Sequence, residues 1–193
     1  MLAALMFAPA MMATFKLAEI KGLVWPSVLL MVVGFIFGTL DAIHPSRTLA
    51  GMKWAFLTVF FVVIVIGLFF HLKNALVITT SHLYTAVNIY LLLAILWFAL
   101  YSAIDNFYPA AIQHNNPAVK DHLSGLLYFS LVTLSTIGYG DIVPIGDEAR
   151  MLAALEGMTG VLYIAITVAI LVSSFRGRGQ GESPYLPSRF HML

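Results

Sequence analysis

Four apolar runs, each about as long as a bilayer core is thick, constrain this chain more than any other feature. They cover residues 23–42, 54–72, 83–104 and 151–175. A helix crosses the hydrocarbon core with roughly 17 to 25 apolar residues. Hydrophobic residues make up 61% of the chain and charged residues only 10%, whereas soluble domains carry about 25% charged residues. The sequence therefore predicts an all-α membrane protein with about four transmembrane helices in a lipid bilayer.

The composition also excludes several classes of function. A net charge of +1 gives no sign of a nucleic-acid partner. The chain has no cysteine, which excludes disulfides, thiolate metal sites and cysteine nucleophiles. We find no carboxylate pair, no nucleophile–base set and no metal-binding cluster in the sequence. We therefore expect neither an enzyme nor a bound cofactor.

A fifth apolar run, residues 123–135, is helical in pattern but too short to span the membrane. At about 1.5 Å per residue it reaches only about 20 Å. Asp121 or Ser124 is suited to cap its first turn. The run must enter the membrane and return, and non-helical backbone at that depth persists only where it is buried in protein or lines a water-filled cavity. The segment after it, TIGYGD, is therefore expected to face a wet pathway.

The two glycines of this segment suggest what its backbone does. Gly138 and Gly140 can adopt left-handed dihedral angles at little cost, so neighbouring carbonyls can turn to the same side. Thr136 adds a carbonyl and a hydroxyl at the inner end. Ile137 and Tyr139 would then point outward, against the short helix. One loop supplies only one wall of a pathway, so several copies must surround an axis.

Residues 133–141, TLSTIGYGD, resemble the T-x-x-T-x-G-Y-G-D filter signature of potassium channels. The resemblance covers residues 83–175 and implies an outer helix at 83–104, a pore helix at 123–135, a filter at 136–140 and an inner helix at 151–175. It also implies a homotetramer that binds K⁺ as its permeant ion and needs no other cofactor. The filter ligands would be Thr136, Ile137, Gly138, Tyr139 and Gly140, and Gly160 would be a gating hinge.

The chain departs from the family pattern around the filter. Tyr128 and Phe129 stand where many members carry two tryptophans, and Val132 stands where some carry a carboxylate that pairs with the aspartate after the filter. Asp141 must therefore find another partner, for which Tyr128 is the candidate. We expect Tyr128, Thr133, Asp141 and Glu156 to support the filter.

Glu156 is an acidic residue well inside the fourth spanning run, four residues before Gly160. Intramembrane carboxylates are costly and usually functional. One interpretation is a bracing hydrogen bond to the pore helix, where Tyr128, Ser130 and Thr133 are the candidates. The other is a role in the ion pathway or in proton sensing. We favour bracing. Residues three to four apart share a helix face, so Glu156 and Gly160 lie on one stripe, which we expect near the back of the pore helix.

The remaining segments carry weaker signals. Residues 1–22 are expected to form an interfacial apolar segment, residues 23–82 two extra transmembrane helices, and residues 176–193 a short cytoplasmic tail too small for a ligand-binding domain. Trp25, Trp54, Tyr84 and Tyr101 lie near run ends, where interfacial anchors belong. Both termini would then be cytoplasmic, in the cell membrane. His71, His82, His114 and His122 are interpreted as polar caps rather than as a metal or pH site.

The sequence thus predicts a potassium-selective channel subunit with passive conduction. The two early spanning runs lack the repeated arginines or lysines that a voltage sensor needs. Two alternatives stay open: a cation channel of weak selectivity, because the residues around the filter differ, and a non-conducting membrane subunit that has kept the filter sequence.

Overall fold

The computed structural model describes residues 24–73, 80–115 and 121–179. These ranges form five helices and two short strands. In chain order the elements are α1 (Val24–Ile43), α2 (Arg47–Lys73), α3 (Thr80–Phe107), β1 (Ile112–His114), α4 (His122–Leu134), β2 (Ile142–Pro144) and α5 (Asp147–Gly179). The interfacial segment expected at residues 1–22 and the tail beyond residue 179 lie outside the described residues.

Four of these helices, α1, α2, α3 and α5, are long and apolar enough to cross a membrane. This confirms the predicted all-α membrane class. The helices extend beyond the apolar runs: α3 begins at Thr80 and ends at Phe107, whereas its apolar run covers only 83–104. The helices are longer than the apolar runs because they are held by backbone hydrogen bonds, which polar residues make as well as apolar ones.

Helices α1 and α2 form an antiparallel hairpin. The rings of Phe37 and Phe56 stack with centroids 5.2 Å apart. Nearer the turn, the ammonium group of Lys53 lies 2.9 Å from the carboxylate of Asp41. The other side of α1 is apolar and exposed, with Trp25 at 82% exposure. The hairpin thus presents an apolar surface that the described residues leave uncovered.

Helix α3 is the centre of the described fold, because it packs against α2, α4 and α5. Ile64 and Leu68 of α2 and Ile89 and Leu92 of α3 are fully buried together. At one end of this pair Gly51 of α2 accommodates the ring of Phe107, which a β-carbon at position 51 would approach to 2.7 Å. The beginning of α2 and the end of α3 therefore lie at the same end of the bundle.

Tyr101 does not lie where the sequence suggested. We predicted an interfacial anchor, but its side chain is 0% exposed, and its ring contacts Phe129 of α4 edge-on at 5.0 Å. Its position near the end of an apolar run was the basis of the prediction. The run continues as helix to Phe107, which leaves Tyr101 within the bundle rather than at its rim.

The short helix α4 has 13 residues and begins at a capped end. Asp121 is the N-cap, as one of the two sequence alternatives proposed, and its carboxylate accepts a hydrogen bond from the backbone N–H of Leu123 at 3.2 Å. Ser124 instead donates its hydroxyl to the carbonyl of Asp121 at 2.8 Å. The helix is thus fixed at its start by a side chain, and its other end leads into the glycine-containing loop.

Candidate functional site

The loop after α4 remains attached to the last turn of that helix. The backbone N–H groups of Ile137 and Gly138 both donate to the carbonyl of Val132, at 2.9 and 3.4 Å. Thr136 donates its own N–H to the carbonyl of Thr133 at 3.0 Å. The part of the loop nearest α4, its inner end, is therefore continuous with the hydrogen-bond pattern of the helix end. Its position follows from the position of α4.

Positive φ angles recur at every second residue of this loop. They are 59° at Thr136, 58° at Gly138 and 79° at Gly140, while Ile137 and Tyr139 are not among the positive-φ residues. In an ordinary strand successive carbonyls point to opposite sides, and left-handed dihedral angles at alternate residues can turn neighbouring carbonyls to the same side. Thr136 adopts this conformation despite its β-carbon, at a cost of roughly 1–2 kcal/mol. A row of carbonyl oxygens is the chemistry that this backbone can offer.

The other side of the loop contacts α4 through aromatic rings. Tyr139 lies nearly parallel to Tyr128, with an angle of 5° between the planes and 6.5 Å between centroids. The Tyr128 side chain also lies near the carboxylate of Asp141. That carboxylate accepts a hydrogen bond from the N–H of Ile142 at 3.2 Å. Tyr128 thus lies near both Tyr139 and Asp141 of the loop. It is the residue that the sequence predicted as the partner of Asp141.

Beyond the loop the chain pairs with the segment that follows α3. Strands β1 and β2 are antiparallel, with His114 opposite Ile142 and Ile112 opposite Pro144. Asn115 extends the ladder by one position: its N–H donates to the carbonyl of Asp141 at 2.8 Å. Its side-chain amide also donates to the carbonyl of Gly140 at 3.4 Å. The end of the loop farthest from α4, its outer end, is therefore connected to the segment that follows α3.

Glu156 lies in the middle of the bundle and is 0% exposed. The Tyr101 hydroxyl donates to its Oε2 at 2.7 Å, and Ser130 Oγ lies 2.5 Å from its Oε1. Ser130 Oγ is also 2.8 Å from the carbonyl oxygen of Ala94. The predicted hydrogen bond from Glu156 to the short helix is therefore present, with Ser130 as the partner among the three candidates. Glu156 joins α3, α4 and α5 at one point.

Gly160 lies one turn further along α5, in contact with the end of α4. A β-carbon at this position would overlap the carbonyl oxygen of Leu134 and lie 3.0 Å from the carbonyl carbon. The hydroxyl of Tyr90 donates to the same oxygen at 3.3 Å. Helix α5 is continuous through Gly160. The close approach to α4 therefore gives a reason for glycine at this position that is independent of the hinge implied by the resemblance.

Two histidines lie near the outer end of the loop. His122 is 2.7 Å from the carboxylate of Asp105, and its ring is 4.9 Å from the ring of His114. Both ring nitrogens of His114 are buried and have no hydrogen-bond partner among the described residues. Burial lowers the pKa of His114, and the neighbouring His122 lowers it further. His114 is therefore not the solvated cap that the sequence suggested.

Within the three described ranges, no group of three or more His, Asp or Glu side chains could hold a metal ion. The oxygen atoms of residues 136–140 are backbone carbonyls and the hydroxyls of Thr136 and Tyr139, and the Asp141 carboxylate follows them. Sequence reasoning missed Tyr101 and Asn115 as residues of this region. Asn115 has no sequence signal of its own, because its neighbour in the ladder, Asp141, is 26 residues away. Tyr101 was predicted only as an interfacial anchor.

Comparison with known proteins finds relatives for this part of the chain. A family model described as "Ion channel" matches residues 85–176. The potassium voltage-gated channel protein shk-1 of Caenorhabditis elegans is 41% identical over 49 residues, which are 25% of this chain and 9% of that protein. The inward rectifier potassium channel Kirbac3.1 of Paramagnetospirillum magnetotacticum is 40% identical over 48 residues, 25% of this chain and 16% of that protein.

A longer match is the potassium voltage-gated channel subfamily A member 10 of Mus musculus, 29% identical over 109 residues, which are 52% of this chain and 21% of that protein. The matched part is thus only about a tenth to a fifth of the length of these relatives. No solved structure matches the chain. Four apolar helices and the matched range define an integral membrane protein with an ion-channel domain. Over this range the chain is similar to potassium channels.

Proposed function

We propose that this chain is one subunit of a homotetrameric, potassium-selective channel that conducts K⁺ passively. The observation that carries the proposal is the alternation of positive φ at Thr136, Gly138 and Gly140, directly after the end of α4. This alternation directs carbonyls to one side of the loop. Rings of such carbonyls replace the water shell of K⁺, and potassium channel filters are themselves the known example of this arrangement.

The tetramer follows from the number of ligands that one chain can offer. A single loop presents one column of oxygens, whereas a dehydrated cation needs oxygens all around it. Apolar side chains are exposed along α5 as well, among them Met151, Leu155, Met158 and Val161. We assign this face of α5 to contacts with neighbouring subunits and to the inner wall of the pathway, with α1 and α2 on the lipid side.

The roles of the individual residues follow from their places. Carbonyls of residues 136–140 contact the ions, and the Thr136 hydroxyl adds a ligand at the inner end. Tyr128 and Asp141 support the outer half, while Thr133 supports the inner half through its carbonyl, which accepts the N–H of Thr136. Glu156 holds α4 against α3 and α5 and does not contact the ions.

The proposed topology places both ends of the pore unit in the cytoplasm of a cell whose plasma or inner membrane holds the protein. Helix α1 contains no arginine or lysine, and those of α2 lie at positions 47, 53 and 73, toward its ends. A sensor helix needs several charges, since moving one through 100 mV is worth about 2.3 kcal/mol. We therefore propose a channel without a charged sensor helix in these two spans.

The purified full chain, reconstituted into liposomes loaded with KCl and placed in a low-potassium sodium buffer, tests this function. We expect K⁺ efflux, carried as a current or detected by a potential-sensitive dye, and a reversal potential close to that of K⁺ in mixed salts. A reversal potential midway between the equilibrium potentials of K⁺ and Na⁺ would instead indicate a weakly selective cation channel. This is the specific alternative, because Tyr128 and Phe129 stand where many potassium channels carry two tryptophans. Absence of flux from tetrameric protein would favour a non-conducting subunit.

A further inference from the structure

The two ends of the proposed filter are connected to different parts of the chain. At the inner end, the N–H groups of Ile137 and Gly138 donate to α4. At the outer end, Gly140 has a φ of 79°, and a β-carbon built there would have no atom within 4 Å. Glycine adopts this left-handed conformation at little cost and has no side chain of its own that could hold the peptide. Its carbonyl must be oriented by hydrogen bonds.

Asn115 supplies such a hydrogen bond. The ladder between the segment 111–115 and the segment 141–145 runs from the N–H of Ile145, 2.8 Å from the carbonyl of Ala111, to the N–H of Asn115, 2.8 Å from the carbonyl of Asp141. This places the Asn115 amide beside the last filter residue, 3.4 Å from the carbonyl oxygen of Gly140. A carbonyl oxygen has two lone pairs, so the same oxygen can accept this hydrogen bond and face an ion.

The ladder is itself held by the bundle. Ile112 and Ile142 are buried on the core side of the two strands, and the N–H of Tyr108 donates to the carbonyl of Ile104 at 2.7 Å, at the end of α3. The Asn115 side chain, in contrast, is exposed. Its backbone position is thus determined by α3 and the strands, while its amide acts at the water-facing end of the loop.

We propose that Asn115 is a positioning residue for the outermost ion site: its amide fixes the Gly140 carbonyl and so sets how tightly the outer end of the filter holds K⁺. The inference rests on the proposed function and adds to it a residue outside the filter signature. Each of four subunits would contribute one such hydrogen bond. A net hydrogen bond of ordinary strength corresponds to about a two- to ten-fold change in an equilibrium constant.

The test compares three variants of the full chain with the wild type. Asn115→Leu keeps the size of the side chain and removes the donor, Asn115→Gln keeps an amide, and the third variant is Gln113→Leu. Gln113 is the matched control, because it is an amide on the same strand and faces the same side, but it is opposite Val143 rather than the filter. Two readouts are used. The first is K⁺ titration of the purified tetramer in a constant sodium background by calorimetry. The second is the decline of the current at low external K⁺.

We expect Asn115→Leu to raise the K⁺ concentration at half-saturation by about two- to ten-fold and to speed the decline of current at low external K⁺, with recovery at high external K⁺. Asn115→Gln should restore most of the affinity, and Gln113→Leu should match the wild type. Equal K⁺ affinity in Asn115→Leu and wild type would overturn the inference alone. A loss of affinity of the same size in Gln113→Leu would also overturn it, since the effect would then be that of the strand. Wild-type protein that neither binds nor conducts K⁺ would overturn the proposed function and this inference together.

Discussion

The inner and outer ends of the loop after α4 are held by different kinds of contact. At the inner end the contacts are buried: Gly160 touches the carbonyl of Leu134, and Glu156 bonds to Ser130 and Tyr101. At the outer end the contacts are hydrogen bonds close to water, made by Asn115 at the end of a short strand. One end depends on close packing inside the bundle and the other on polar groups at its rim.

This difference separates the expected effects of substitution. Overpacking a buried contact costs about 1–3 kcal/mol and shifts the backbone, and in a tetramer that cost occurs four times. An exposed hydrogen bond contributes less, and the nearby His114 adds a dependence on pH. We therefore expect changes at the inner end to affect assembly and changes at the outer end to affect ion affinity and pH dependence.

Gly160→Ala should have the largest effect, because its β-carbon would overlap the Leu134 carbonyl. The end of α4 or the axis of α5 must then shift, and we expect loss of most of the tetramer. The measurement is size-exclusion chromatography with thermal unfolding in detergent.

Gly157→Ala is the matched control for this prediction. It lies on the same helix, one turn away, where a β-carbon would be 3.8 Å from the carbonyl oxygen of Thr133, an ordinary contact. Alanine also favours a helix over glycine by about 1 kcal/mol, so this variant should be as stable as the wild type or more so. If both variants assembled normally and differed only in opening, a hinge at Gly160 would explain the glycine better than packing does.

Gly138→Ala should abolish selective conduction while most helix content is retained. A β-carbon at a φ of 58° opposes the left-handed conformation by roughly 1–2 kcal/mol in each subunit, and space is no obstacle within the chain. Circular dichroism measures the helix content and reversal potentials measure selectivity. Unchanged potassium selectivity would show that the alternation of φ is not what orders the carbonyls.

Glu156→Leu should destabilise the tetramer by about 1–3 kcal/mol for each hydroxyl left without a partner, whereas Glu156→Gln should retain conduction. A serine hydroxyl has one proton and a backbone carbonyl only accepts. The contacts of Ser130 with Ala94 and Glu156 are therefore satisfied together when the Glu156 carboxyl itself carries a proton, and an amide can replace it. Thermal unfolding and reversal potentials are the measurements. Loss of selectivity in an intact Glu156→Gln tetramer would assign the carboxylate an electrostatic effect on the ions.

The smallest effect is expected at His114, as a pH dependence. Its pKa is lowered from about 6.5 by burial and by His122, although Asp105 and Asp141 act in the opposite direction. A lowered pKa means that the folded protein binds fewer protons than the unfolded one, so stability falls as the pH decreases below about 6.5. His114→Gln should reduce the loss in melting temperature between pH 7.5 and pH 5.5, by a few degrees at most.

His44→Gln is the control for this prediction, because His44 is exposed and lies on the turn before α2, at the same end of the bundle. It should leave the acid sensitivity unchanged. Equal acid sensitivity in the wild type and His114→Gln would exclude His114 as its source. The outer end of the loop would then not differ from the inner end in its dependence on pH.

The sequence by itself determined the membrane class, the short helix that cannot span, and the left-handed conformation of Gly138 and Gly140. These are local properties, since hydropathy, helix length and the conformational freedom of glycine are read within a window of a few turns. It also determined that Glu156 needs a polar partner, because no buried carboxylate is stable without one. The choice of Ser130 among three candidates on α4 came from the structure.

The tertiary structure decided which distant residues meet. Tyr101 bonds to Glu156 across 55 positions of sequence, and Asn115 reaches Gly140 across 25. Gly160 touches Leu134 because α5 crosses the end of α4. Hydrophobic pattern and helix length specify which surfaces are buried but not the angle or the register at which two helices cross. Side chains on separate elements are brought together by that packing geometry, and so these contacts had no signal in the sequence.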